Sequence, residues 1–205
     1  DGPMKSLPVI IQGGMGVGIS HWGLARAVSQ RGHLGVVSGT ALDQVLARRL
    51  QSGDPGGHMR RALDHFPVPA VAERIRETYY IPGGKTEKES FKTLPMATVP
   101  PTVEWQTLCV VANFVEVFLA KEGHDRPVGI NFLEKIQVPH LPSIYGAMLA
   151  GVDAVLMGAG IPLKIPGALD RFVNHESATY PITVSGLGSD EAVTVSFDPK
   201  AVIGL

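Results

Sequence analysis

Residues Val9 to Thr40 read VIIQGGMGVGISHWGLARAVSQRGHLGVVSGT, and this stretch sets the pattern for the chain. Val9, Ile10 and Ile11 form a short β-branched run without polar alternation, as expected of a parallel strand covered on both faces. Gly13, Gly14, Gly16 and Gly18 follow at once, and a turn this rich in glycine bends sharply because its residues take positive φ at little cost. Ser20 is the expected N-cap of the next helix. Leu24, Ala25, Ala27 and Val28 supply that helix's apolar stripe, and Gly32 suits its left-handed end. Leu34 to Val37 then reads as a second buried strand. A strand, helix and strand joined this tightly form a right-handed βαβ unit, whose first turn faces the carboxyl end of the sheet, where α/β proteins bind ligands.

The remaining chain repeats this rhythm. Helices are expected over Leu42 to Leu50, His58 to Phe66 and Val71 to Tyr80, with Pro67 and Pro69 breaking the pattern between the last two. Ile81 to Pro101 carries prolines and lysines and little periodicity, so it reads as an irregular excursion close to a site or over the surface. Val103 to Glu122 is the clearest helix, and Trp105, Leu108, Ala112, Val115 and Leu119 should form a face lying on the sheet. Pro127 to Leu133 is a third strand. Leu141 to Ala150 is a helix in which Gly146 and Ala147 permit close packing, and Gly151 ends it. Val152 to Met157 is a fourth strand, closed by Gly158, Ala159 and Gly160, and Pro166 begins a helix running to about Asn174. Pro181 to Ser185 and Ala192 to Phe197 read as an antiparallel pair, and Val202 to Leu205 shows no closing element.

Composition excludes several function classes. With 205 residues, 44% of them hydrophobic, and a formal net charge of -1, the chain can build a substantial core and shows no basic footprint for nucleic acid. No run approaches the roughly 20 apolar residues of a bilayer span, and no signal-peptide core is evident, so the expected location is cytoplasmic. Cys109, the single cysteine, sits in an apolar run and reads as a buried thiol. The seven histidines show no paired ligand spacing, so no metal site is expected. Ser20 and His21 are adjacent on a helix and point apart, which argues against a nucleophile and its base.

The motifs IIQGGMGVGIS, LARAVS, LGVVSGT, VGINFLEK and GVDAVLMGAGIP, in that order, resemble the amino-terminal half of the nitronate monooxygenase family, also called the 2-nitropropane dioxygenase-like family. The resemblance implies an FMN-binding TIM barrel with the flavin at the carboxyl ends of the strands. It further implies oxidation of alkyl nitronates with molecular oxygen. On the matching positions, Gly14, Met15 and Gly16 would lie beside the flavin ring and Asn131 would hydrogen-bond it. Gly39 and Thr40, and Gly158, Ala159 and Gly160, would line the same mouth, with Glu134 and Lys135 reaching cofactor or substrate.

A complete barrel takes about 250 residues and eight strands, whereas about four strands are expected here. Residues 1–175 therefore read as the amino-terminal half of a (β/α) barrel and 176–205 as an excursion or tail, making a truncated or partial enzyme. The family's phosphate loops and catalytic histidine have no counterpart up to Leu205, so the catalytic base stays unassigned. Gly56, Gly57 and His58 match the family's Gly-Gly-His only superficially, because Asp54 and Pro55 precede them instead of a buried strand. Such a half-barrel would self-associate or pair with a carboxy-terminal half.

Three other readings remain open: an FMN-dependent enoyl-thioester reductase of the same architecture, a non-catalytic half-domain, and a Rossmann-type dinucleotide-binding domain. In the last, Ile19 stands where the fingerprint needs Gly or Ala, and Asp43 is the candidate ribose partner.

Overall fold

The computed structural model describes residues 8–182 and 193–205. In chain order the elements are α1 (Trp22–Gln30), β1 (Gly35–Ser38), α2 (Leu42–Gln51), a 3₁₀ turn (Pro55–Gly57), α3 (His58–Leu63), α4 (Pro69–Tyr79) and α5 (Val103–Lys121). Then come β2 (Val128–Leu133), α6 (His140–Leu149), β3 (Ala154–Gly158), α7 (Ile165–Val173), β4 (Ala178–Ile182), β5 (Val193–Phe197) and α8 (Pro199–Ile203). The chain is thus mixed α/β, with one parallel sheet and one small antiparallel sheet.

The parallel sheet runs β1-β2-β3, with Gly35 opposite Val128 and Gly129 opposite Ala154. A parallel bridge between Ile11 and Leu34 extends it on the β1 side, held by Gln12 N–H to the Leu34 carbonyl at 3.0 Å and Leu34 N–H to the Ile10 carbonyl at 3.1 Å. Strand neighbours therefore follow one another in chain order, with helices in every connection. Successive side chains on a strand point to opposite faces. Val37, Ile130 and Phe132 join the hydrophobic core with residues of α5 and α6, while Val36 and Asn131 lie on the other face, near Gly14.

Three sequence expectations need correction. The Val9–Ile11 run is not covered on both faces: Val9 is 94% exposed, Ile10 53% and Ile11 51%, and among the described residues a single bridge anchors this edge. Ser20 is not the cap of α1; His21 is, its Nδ1 accepting from Gly23 N–H at 2.9 Å. The chain's end does have a closing element, since α8 follows β5 and terminates at Gly204 with φ 84°.

Helix α5 also differs from expectation. It is buried on nearly every side, because α1, α2, α3, α6 and α8 all pack against it as well as the sheet. Its Thr102 cap, accepting from Trp105 N–H at 3.3 Å, and its 19 apolar-rich residues would satisfy the length of a bilayer span, yet 83% of its most apolar window is buried within the protein. It is a core helix. Gly146 of α6 makes the tightest approach to it: a Cβ there would come within 2.1 Å of the Val110 carbonyl oxygen. Close packing through Gly146 is therefore obligatory. Cys109 is buried as expected, and burial pushes its thiol pKa well up.

Residues β4 and β5 form the antiparallel pair, Ala178 opposite Phe197 and Ile182 opposite Val193. The first strand begins three residues earlier than its prolines suggested. Residues 183–185 and 192 of that expectation lie outside the described residues. The pair packs on α6 and α7 through Tyr145, Phe172 and Phe197, whose rings meet at 5.2 to 5.7 Å.

Candidate functional site

Side-chain hydrogen bonds tie the glycine turn after Gln12 to β1 and β2 and also close it on itself. Asn131 Nδ2 donates to the Gly13 carbonyl at 2.7 Å and lies 3.4 Å from Met15 Sδ. Ser20 Oγ donates to the Met15 carbonyl at 2.6 Å and accepts from Gln12 Nε2 at 3.0 Å. Gln12 Oε1 accepts from Val36 N–H at 2.9 Å. Ser20's own carbonyl accepts from Ser38 N–H at 2.9 Å, so this serine closes the turn onto the sheet instead of opening the helix.

The geometry at Gly14 shows why the turn requires glycine. Its φ is 67°, and a Cβ would fall 2.5 Å from Val36 Cγ1 and 3.0 Å from Asn131 Cβ. The backbone thus lies directly on the sheet.

The turn and strand ends enclose a cavity of about 190 Å³ that gathers Gly14, Met15, Gly16, Thr40 and Asn131. Five of the expected site residues therefore meet in one place. Val17, Ser38, Phe132 and Leu133 complete the lining. Asn131 is 8% exposed, and its Oδ1 has no hydrogen-bond donor among the described residues. Because Nδ2 must face the Gly13 carbonyl, the amide's orientation is fixed, and a buried acceptor is left over. Unpaired buried acceptors are uncommon and costly.

The other expected residues fall elsewhere. Gly39 does not line the cavity; its N–H donates to the Asn131 carbonyl at 2.8 Å, and a Cβ there would meet the Phe132 ring at 2.2 Å. It serves packing. Glu134 turns toward the end of β3, where its Oε2 would lie 2.4 Å from a Cβ on Gly160 and its N–H donates to the Gly158 carbonyl at 2.8 Å. Its Oε1 accepts from Gln137 Nε2 at 3.2 Å and from the Tyr180 hydroxyl at 3.4 Å. Burial, and then the Glu134 charge, pushes the Tyr180 phenol pKa up. Glu134 and Gly158–Gly160 thus form their own cluster outside the cavity. Ala159 in that cluster takes φ 62°, a left-handed conformation unusual for a residue with a Cβ. Lys135 is separate again and faces a larger cavity of about 910 Å³ beside α2.

Sequence reasoning missed Gln12 and Ser20 as turn fasteners, since short polar side chains near a helix start read first as caps. It also missed the larger cavity, which is lined by Thr40, Arg48, Lys92, Trp105 and Lys135 among others. Its one sequence signal was the length of the irregular connection 81–101. His58 lies at the start of α3 in a separate pocket of about 250 Å³, where its ring sits 4.9 Å from that of Trp22. Asp54 accepts from Met59 N–H at 2.9 Å and Arg60 N–H at 3.0 Å, so the Asp-Pro-Gly-Gly-His stretch is a turn leading into α3. Among the described residues no group of three or more His, Cys, Asp or Glu side chains could hold a metal.

No family model matches the chain, and neither curated proteins nor solved structures match it.

Proposed function

We propose that the chain is an FMN-dependent oxidoreductase built on the first four β/α units of a (β/α) barrel, acting on alkyl nitronates with molecular oxygen. The observation that carries the reading is Asn131, a residue lining the cavity at the carboxyl ends of the strands, whose enclosed Oδ1 has no donor among the described residues. A flavin ring presents an N–H donor flanked by carbonyls, which is the complement of that orphaned acceptor. Strand order supports the barrel: neighbours in chain order suit a singly wound barrel, whereas a Rossmann sheet reverses order at its switch point.

The fit is to one edge of the ring. About 190 Å³ is less than an ordinary cofactor pocket, so Gly14, Met15, Gly16, Thr40 and Asn131 would hold part of the ring and not the whole cofactor. When bound, FMN supplies the two-electron chemistry. The chain's own part would be positioning: Asn131 would orient the ring, Met15 would pack against it, and the glycine turn would shield it from water. The half-domain would pair through its open β3 edge and its exposed Val9, Ile10 and Ile11.

The test is the visible spectrum of purified protein after FMN addition, with released cofactor identified by mass. A flavin spectrum weakened in Asn131→Ala supports the reading. A colourless protein overturns it.

A further inference from the structure

The larger cavity has an architecture of its own. Gln51 of α2, 2% exposed, accepts Lys92 N–H at 2.6 Å on its Oε1 and Lys85 N–H at 2.8 Å on its carbonyl. Gly53 and Gly84 press together beside it, a Cβ on Gly53 reaching within 2.7 Å of Gly84 N. With Ile81 N–H donating to the Leu50 carbonyl at 3.3 Å, three hydrogen bonds and one backbone contact fasten the irregular connection to the end of α2, and residues 91–97 form one wall of the cavity. Trp105, 4% exposed, is part of its lining together with Leu94 and Val138. The volume of about 910 Å³ suits a drug-sized ligand.

Its charge is unbalanced. Arg48, Lys92 and Lys135 line the cavity, and among the described residues Asp43 is the only carboxylate that does, in a chain whose formal net charge is -1. Elsewhere Arg49, Arg60, Arg61 and Lys121 each hold a carboxylate. The three cavity cations hold none among the described residues. Arg48 lies over the Phe91 ring at 5.6 Å, Lys92 Nζ donates to the Thr78 carbonyl at 3.3 Å and lies 5.7 Å from the Tyr79 ring, and Lys135 makes no ion pair or hydrogen bond with the described residues. An apolar wall beside unpaired cations is complementary to an apolar body with one negative head.

We propose that this cavity binds an amphipathic monoanion, an alkyl chain ending in a carboxylate, with Lys135 and Arg48 holding the head and the Trp105 side of the cavity holding the chain. Thr40 lines both cavities, so the site adjoins the strand-end cavity while standing independently of any flavin there.

The experiment uses the whole chain and tryptophan fluorescence. The Trp22→Phe variant leaves Trp105 as the sole emitter, and decanoate is titrated below its micelle concentration, with and without FMN. Saturable change in Trp105 emission is expected for decanoate, with decanol binding at least about tenfold more weakly. Lys135→Gln combined with Arg48→Gln should raise the decanoate Kd by about tenfold, and Asp43→Asn should lower it two- to threefold. Circular dichroism confirms that these surface variants are folded. No saturable change, or equal binding of decanoate, decanol and decyltrimethylammonium, overturns the proposal. Decanoate binding by a protein that takes up no FMN would keep this site and remove only the flavin reading.

Discussion

Asn131 donates to the carbonyl of Gly13 across 118 residues of sequence, at 2.7 Å, and this bond joins the end of β2 to the first glycine of the turn. Asn131→Asp keeps the shape but cannot donate to that carbonyl. It is expected to cost about 1–3 kcal/mol of stability, because two acceptors then face each other in a buried place. Urea unfolding measures the cost, and FMN uptake should fall in the same variant. Full stability in Asn131→Asp would show that the turn is held by Ser20 and Gln12 alone.

The turn's glycines should differ in sensitivity. A Cβ on Gly14 meets Val36 at 2.5 Å, whereas one on Gly18 meets nothing within 4 Å, although both residues have positive φ, 67° and 70°. Gly18→Ala is expected to lose about 1 kcal/mol from backbone strain, and Gly14→Ala more than about 2 kcal/mol because overpacking adds to it. Equal losses in denaturant melts would refute the close approach.

Glu116 of α5 is a buried carboxylate that accepts Trp22 N–H at 2.8 Å and Arg49 Nη1 at 2.7 Å. It therefore fastens the start of α1 and the last turn of α2 to the core helix. Glu116→Ala should cost about 2 kcal/mol or more, while Glu116→Gln, which retains an acceptor for the Trp22 N–H, should cost less. Thermal melts of the two variants give the order.

Stability should also depend on pH through His140. Its Nε2 lies 3.0 Å from the Leu133 carbonyl, which sets the Nε2–H tautomer, and its enclosed Nδ1 has no partner among the described residues. Burial pulls its pKa below the ordinary 6.5, partly opposed by the Leu133 bond and the Glu134 charge. A folded-state pKa below the unfolded value means that the contribution is present above about pH 6.5 and is lost as pH falls through the folded value. His140→Gln retains a donor for Leu133 and cannot titrate there. The slope of unfolding free energy between pH 7 and pH 5 should be shallower in that variant, and an unchanged slope would assign it to other groups.

The β/α rhythm was legible because its signals are local. VGINFL, the Val103 helix and the glycine turn each declare themselves within a few residues, and their observed bounds differ from expectation by only one or two positions. What could not be read depends on distant partners. Nothing beside Ser20 indicates that its hydroxyl serves Met15 and its carbonyl Ser38. Asn131 and Lys135 stand four residues apart, yet they line different cavities, because the chain turns at Leu133 as β2 ends. The burial of α5 on nearly every side was hidden for the same reason: an apolar stripe shows one face, and the helices that cover the others lie far away in sequence.

The long excursion between β1 and β2 has a kinetic consequence. These strands are neighbours in space, Gly35 beside Val128, but α2, α3, α4 and α5 all intervene in the chain. Closing so long a loop costs entropy that a four-residue ladder repays poorly until the intervening helices have collapsed onto α5. The helical layer should therefore be the nucleus and the sheet its late product, so substitutions at Val36 should speed unfolding and leave the folding rate nearly untouched. Stopped-flow chevrons of Val36→Ala and Val111→Ala would decide it, the second slowing folding if the order holds.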